Sequence, residues 1–182
     1  MRAIENLDRL LILLNTTLDL AEAQAGALQL ERAPVDLSVA VTQLVDLYHP
    51  AMSDREHTIT LDLENNVIVE ADPVLLNRVI SNLLENELTH LPRGRHITIR
   101  LHSHAESAEL IVADDGPGFP PEIVPRAFER FVKGKHSPGH GLGLAFVNAV
   151  VQAHGGAVNL SARSGGGAVI IVSLPVGVFQ PS

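Results

Sequence analysis

Apolar positions recur every three or four residues over residues 3–31, at Ile4, Leu7, Leu11, Leu14, Leu18, Ala21 and Ala25. That spacing predicts one long helix with a coiled-coil seam. Leu10, Leu13 and Leu20 widen its apolar face beyond a single seam, so the segment wants more than one neighbour. Pro34 in "RAPVDL" breaks the pattern, and Asp36 is placed to cap a second helix from about Leu37 to Met52. Val39, Val41, Leu44, Val45, Leu47 and Tyr48 supply its face, and Pro50 is expected to end or kink it. "TITLDL" (58–63) and "NVIVEA" (66–71) read as strands, with "ENN" turning between them. "DPVLLNRVISNLLENELTH" (72–90) returns to the helical period, with Asp72 as cap and Pro73 in the first helical position. "HITIRLHSH" (96–104) with "AELIVADD" (108–115) predicts one hairpin, and "AVNLSAR" (157–163) with "GAVIIVSLP" (167–175) a second. Between them lie a loop with a short helix (116–131) and a helix at about 142–154. The order predicts a two-layer α/β sandwich, helices on one side and a mixed, mostly antiparallel sheet on the other. An appendage of residues 1–34 is expected to give way near Pro34 to a main domain of 35–182.

Composition narrows the chemistry. The chain has 182 residues, 46% hydrophobic but only 3% aromatic, so its core must be aliphatic. A net charge of −8 argues against a general nucleic-acid binder, which needs a basic surface. It leaves room for a phosphate ligand in one local pocket. The absence of cysteine removes disulfides, thiolate catalysis and cysteine-ligated zinc. No apolar run approaches the roughly 20 residues that span a bilayer, so the sequence as given reads as soluble. His102 and His104 are expected on one face of an edge strand, with no third ligand in view for a metal.

Three stretches carry candidate chemistry. Gly139, Gly141 and Gly143 stand where a helix should nucleate, although glycine costs roughly 1 kcal/mol against alanine there. A helix N-terminus offers unpaired N–H groups and a positive dipole end, and glycine lets an anion approach the backbone. Alone, the string reads equally as a tight loop-to-helix junction, and it lacks the Gly-Lys-Ser/Thr of a Walker loop. "ADDGPGFP" (113–120) closes a strand with two acids, either solvated in a turn or buried to accept the exocyclic amine of a base. Asn82 and Asn86 fall four apart on one helical face, as a solvent-facing pair or as ligands for hydrated Mg²⁺ and phosphate.

Taken in order, these stretches are more specific than any one of them. The chain resembles the catalytic, ATP-binding domain of sensor histidine kinases, of the Bergerat-fold ATPase family shared with gyrase, Hsp90 and MutL. "NLLENELTH" (82–90) looks like the N box, "DDGPGF" (114–119) the first glycine box and "FERF" (128–131) the F box. "GHGLGL" (139–144) looks like the second glycine box and "SGGGAV" (164–169) the last. Residues 4–37 are similar to the second helix of the kinases' dimerisation and phosphotransfer domain, running into its linker.

The resemblance implies ATP and Mg²⁺ as ligands. Asn86 would bind Mg²⁺, with Asn82 beside it. Asp114 would hold the adenine amine, and Gly116 and Gly118 would shape the base pocket. Lys133, with Lys135, would reach a phosphate. Gly139, Gly141, Leu142, Gly143 and Leu144 would line the phosphates with backbone. His90 stands where an aromatic is common at the site's edge. The lid from Phe131 to Gly139 is short, and such lids order on nucleotide binding. Three departures stand out: Glu87 where a small Ala is usual, Thr89 where a basic residue is common, and Ala168 in place of a Thr that often holds an adenine-bound water.

The implied reaction passes the γ-phosphoryl group of ATP to a histidine and then to an aspartate of a response regulator. Implied partners are the kinase's own dimerisation domain, a receiver domain and a second copy in a homodimer. None of the nine histidines stands in an acceptor motif. The sequence is therefore expected to be the cytoplasmic piece of a longer inner-membrane sensor, without autokinase activity alone. The competing expectations are a MutL- or gyrase-type ATPase, which would need a long lid and a carboxylate at position 82, a serine-kinase anti-sigma factor, and a degenerate regulatory module.

Overall fold

The computed structural model describes residues 17–18, 20–21, 27–134, 140–163 and 166–176. Helix α1 (Leu37–Asp54) begins where the Asp36 carboxylate accepts the N–H groups of Ser38 and Val39. Pro50 does not end it; the helix runs on to Asp54. Pro50 and Asp46, whose carbonyl it leaves unbonded, both lie on the exposed side, where water can serve that carbonyl. Helix α2 (Pro73–His90) starts as its sequence predicts, with Asp72 accepting from Val74 and Leu75 and Pro73 in the first turn. Helix α3 spans Gly143–Ala153. The short helix expected before it is a single 3₁₀ turn, Val124–Arg126.

Among the described residues seven strands form two sheets. Strand β1 (Ala33–Asp36) pairs antiparallel with β3 (Ile68–Ala71) as a separate ribbon. The larger sheet has the order β2-β4-β5-β7-β6: β2 (Thr58–Leu63), β4 (His96–Ser103), β5 (Ser107–Asp114), β7 (Ala168–Pro175) and β6 (Ala157–Ala162). The β2–β4 pair is parallel and the other three pairs are antiparallel. Consecutive strands β2 and β3 thus lie in different sheets, and β2 reaches β4 through a crossover that includes α2, as parallel pairing requires.

The buried side chains form one cluster. Leu110 and Val112 of β5, Ile170 and Val172 of β7, and Ile97, Ile99 and Leu101 of β4 meet Val79, Ile80, Leu83 and Leu84 of α2 and Phe146, Val147 and Val150 of α3. Burying each such aliphatic side chain contributes about 1.5–3 kcal/mol, which is how a chain with few aromatics holds its layers together.

Two expectations need correction. The N-terminal helix does not run to residue 31. Residues 17, 18, 20 and 21 are helical and Leu20 is buried, but residues 27–32 are irregular. Leu28 and Leu30 are half-buried against the core while Ala27 and Gln29 are exposed, a period of two that a helix cannot give. The rest of that helix lies outside the described residues. The 34/35 boundary falls within β1, whose four residues all pair with β3. The other correction concerns His102 and His104. Strand β4 is interior, and His104 lies past its end, its Nε2 3.5 Å from the Glu109 carboxylate.

One buried imidazole ties the helical layer together. His154 Nε2 accepts the Asp72 N–H at 2.9 Å, so Nδ1 carries the proton and donates to the Val150 carbonyl at 2.7 Å. The second Asp72 oxygen accepts the Glu31 N–H, and Arg32 donates to the Ala153 carbonyl. The incoming strand, the start of α2 and the end of α3 therefore meet at one place.

His154→Ala leaves the buried Asp72 N–H unpaired, while the Val150 carbonyl keeps the backbone N–H of residue 154, and is expected to lower stability by about 1–3 kcal/mol in urea unfolding. Burial holds the His154 pKa below its ordinary 6.5. Below that pH the unfolded chain binds the proton first, so this contribution is intact above 6.5 and is lost as pH falls. Stability measured from pH 7.5 downward should decline less steeply in His154→Ala than in the wild type.

Candidate functional site

Strand β5 buries every second residue, and its core-facing stripe of Ala108, Leu110 and Val112 ends in Asp114. That carboxylate is only 4% exposed. Its Oδ1 accepts the Gly116 N–H at 2.6 Å and its Oδ2 accepts the Ala168 N–H at 3.0 Å. A carboxylate has about four acceptor positions, so two remain for a ligand. The wall around it is made of glycine. A β-carbon on Gly116 would lie 2.8 Å from Asp114 Oδ1, and one on Gly118 would lie 2.8 Å from the Gly167 carbonyl oxygen. On Gly167, with φ +101°, a β-carbon would overlap the Asp114 carbonyl oxygen. Leu91, just past α2, closes against Gly116 from the other side.

Helix α2 faces α3 with Arg78, Asn82 and Asn86, spaced four apart. Arg78 stacks its guanidinium 4.3 Å over the Phe146 ring. Asn82 donates its amide N–H to the Arg78 carbonyl at 2.8 Å, which turns Oδ1 outward. A β-carbon on Gly143 would stand 3.0 Å from that Oδ1 and 3.9 Å from Oδ1 of Asn86. Two amide oxygens therefore converge on the first turn of α3. Among the described residues no side chain caps that turn; its N-cap is Leu142, whose own side chain is buried in the core. Free N–H groups, the positive end of a dipole and two amide oxygens share one place. The Asn86 amide nitrogen is buried and has no hydrogen-bond partner among the described residues. Such a group calls for a ligand or ordered water.

The approach to α3 is pinned as well. The Phe131 N–H donates to the Gly141 carbonyl at 2.8 Å. Gly141 has φ +68°, and a β-carbon there would come within 2.9 Å of the Val132 carbonyl oxygen. The F-box segment and the second glycine box thus touch through backbone. Lys133 follows directly and is exposed.

Glu87 is the acid that α2 buries. The helix's core-facing residues are Leu75, Leu76, Val79, Ile80, Leu83, Leu84 and Glu87, the last only 6% exposed. Burial and, secondarily, the negative charge of Asp114 push its pKa up to about 8. The stripes of β5 and α2 both end in acids, and the two acids are neighbours.

Asn82, Asn86, Asp114, Gly116, Gly118, Gly141, Leu142, Gly143 and Leu144 are thus gathered around the junction of α2, α3 and the ends of β5 and β7. His90 ends α2, exposed, two turns beyond Asn82 on the same face. Lys135 and Gly139 lie outside the described residues. Arg78 and Leu91 were not picked out from the sequence. Arg78 had a legible signal, since it stands four residues before Asn82; Leu91, after the helix, had none.

Residues 71–178 match the family described as histidine kinase-, DNA gyrase B-, and HSP90-like ATPase. The chain is 36% identical over 185 residues to the probable sensor histidine kinase TcrY of Mycobacterium tuberculosis, covering 99% of this chain and 38% of TcrY. It is 35% identical over 167 residues to the sensor protein KdpD of Escherichia coli, covering 90% of this chain and 18% of KdpD. It therefore spans well under half the length of these relatives. Among solved structures, the mycobacterial sensor histidine kinase MprB superposes with a TM-score of 0.71 at 32% identity, over 79% of this chain and 97% of that one. The full-length kinase ShkA in complex with AMPPNP superposes with a TM-score of 0.82 at 28% identity, over 98% of this chain and 38% of that one. With its mixed, mostly antiparallel sheet and Bergerat-type layering, the chain belongs to the histidine kinase-, DNA gyrase B- and HSP90-like ATPase family, as an ATP-binding catalytic domain of the histidine kinase type.

Proposed function

We propose that the chain binds ATP with Mg²⁺ between α2 and α3 and presents the γ-phosphoryl group to a histidine on a dimerisation helix, for relay to an aspartate of a response regulator. One observation carries this reading: the oxygens of Asn82 and Asn86 converge on the uncapped first turn of α3. Among the described residues no group of three or more His, Asp or Glu side chains could hold a metal. A cation here must therefore share amide oxygens with phosphates, which is how Mg²⁺ binds in nucleotide sites. The unpartnered amide of Asn86 and the space that a β-carbon on Gly143 would fill both suit a ligand of that kind.

The roles follow the chemistry. Asp114 accepts the adenine amine on its two remaining lone pairs, and Gly116 and Gly118 let the base lie against backbone. Asn86, with Asn82 beside it, holds Mg²⁺, which neutralises phosphate charge. The N–H groups of Gly143 and Leu144 face the phosphates, and Lys133 and Lys135 add positive charge. Gly139, Gly141 and Leu142 shape the turn that brings those N–H groups forward, and His90 borders the site. Phosphoryl transfer depends mainly on positioning and charge neutralisation, so a site of this make-up can serve it without a covalent intermediate on the protein. In this reading the helical part of residues 1–34 belongs to the dimerisation domain and residues 27–34 are the linker from it, and a second copy and a receiver domain are the macromolecular partners. Asn at position 82, where a dimerisation ATPase would need a carboxylate, and relatives that are sensor kinases favour the kinase over the MutL or gyrase type. The membrane enters only through a longer parent protein; no helix among the described residues is long and apolar enough to cross one.

Calorimetry with Mg²⁺ and ATP, ADP or a non-hydrolysable analogue should give micromolar-range binding, weakened at least tenfold in Asp114→Asn. Absence of binding at millimolar nucleotide would sink the proposal. Asn86→Ala should lose most of the difference between ATP titrated with Mg²⁺ and with a chelator; an unchanged difference would place the cation elsewhere. In a longer protein that carries the dimerisation helices, labelled γ-phosphate should appear on histidine and vanish in the Asp114→Asn variant.

A further inference from the structure

Helix α2 breaks its own pattern at one point. Six of its seven buried positions are aliphatic and the seventh is Glu87. Among the described residues no hydrogen bond reaches the Glu87 carboxyl; the residue is only 6% exposed, yet its oxygens are not among the fully enclosed unpartnered atoms, so the little surface they keep opens outward. An acid with so little access to water is poorly solvated, and a ligand that reaches that opening can pair with it.

Its position says what that partner is. Glu87 lies one helical turn before Leu91, whose N–H bonds the Glu87 carbonyl at 3.1 Å and whose side chain closes on Gly116. The preceding residue, Asn86, turns its oxygen toward Gly143. The Asp114 carboxylate is near enough for its charge to act on Glu87. Glu87 thus sits between the wall assigned to the base and the residues assigned to the phosphates. The Ala168 N–H at that wall is already given to Asp114 Oδ2, and its side chain has no hydrogen-bonding group. Among the described residues, Asp114 and Glu87 are the two buried acids beside that wall.

Resting on the nucleotide reading above, we propose that Glu87 is a specificity-determining residue that hydrogen-bonds the purine edge beside Asp114. A site that pairs its buried polar groups with one pattern of donors and acceptors rejects the analogue that leaves them unpaired. The 6-amino edge of adenine and the 6-oxo edge of hypoxanthine differ in that pattern. Glu87 sharpens the choice between them, and Asp114 alone makes a weaker one.

The test titrates the full chain with ATP, inosine triphosphate and inorganic triphosphate, in the wild type and in Glu87→Leu, Glu87→Met and Glu87→Gln. Thermal melts confirm that each variant is folded. Glu87→Leu should weaken ATP tenfold or more, shrink the preference for ATP over inosine triphosphate at least fivefold, and leave inorganic triphosphate unchanged. Glu87→Met, unbranched and of similar length, gives the same reading should the leucine variant misfold. Glu87→Gln keeps a hydrogen-bonding group and should recover most of the ATP affinity. Unchanged ATP affinity and preference in the folded apolar variants, with Asp114→Asn still impaired, would overturn this inference alone. A wild type that binds no nucleotide would overturn it together with the reading on which it rests.

Discussion

The carboxylate of Asp114 is a buried charge held by two backbone N–H groups, from Gly116 in its own loop and from Ala168 on the neighbouring strand. A charge so deep in a small domain is stable only with bonds of this quality. Those bonds dictate the glycines around it. The loop must fold back within two residues, and the start of β7 must come in against the end of β5. Gly167 lets it do so, because any β-carbon there would overlap the Asp114 carbonyl. The first and last glycine boxes, more than forty positions apart in the chain, therefore answer one requirement: bringing two backbones within hydrogen-bond reach of one carboxylate.

The helical layer needs an equivalent anchor, because α2 presents two different faces at once. Leu83, Leu84 and Glu87 turn inward while Asn82 and Asn86 turn toward α3. A rotation of α2 by about 100° about its axis would swap these roles, and much less would misplace them. The rotation is fixed at its start, where Asp72 caps the first turn with one oxygen, holds Glu31 with the other and gives its own N–H to His154. His154 also ends α3, so the two helices that flank the candidate phosphate site share one joint at the end away from it. The rigidity of the site thus comes from a buried imidazole outside the site.

What the sequence made legible follows the range of the interactions involved. Caps are local, and Asp36 and Asp72 act as caps. Antiparallel hairpins are local, and both were placed within a residue or two. Strand β1 was missed because four residues containing a proline carry no period, and it exists only through its pairing with β3. The end of the N-terminal helix was missed for a related reason. Leu28 and Leu30 fit a helical count equally well, and it is contact with the distant core that makes them alternate. The composition of the site was readable as an ordered set of boxes. The contacts between boxes, such as Phe131 with Gly141 and Gly118 with Gly167, were not readable, since nothing in either string names the other.

Gly143 shows why a chain accepts a glycine in the turn that nucleates a helix, where it costs roughly 1 kcal/mol against alanine. The cost is set against the distance between two helices. Arg78 and Phe146 fix that distance by stacking at 4.3 Å, and one turn further along α2 the Asn82 oxygen stands where a β-carbon on Gly143 would be only 3.0 Å away. Alanine would force the helices apart or turn the amide aside. Turning it aside would break the bond from the Asn82 amide to the Arg78 carbonyl, which orients the oxygen. The glycine therefore fits a close approach that the protein's own packing sets before any ligand arrives, and the same packing leaves the first N–H groups of α3 uncovered among the described residues. The anion site and the close approach of the helices are one feature, so a side chain that filled the space would disturb both.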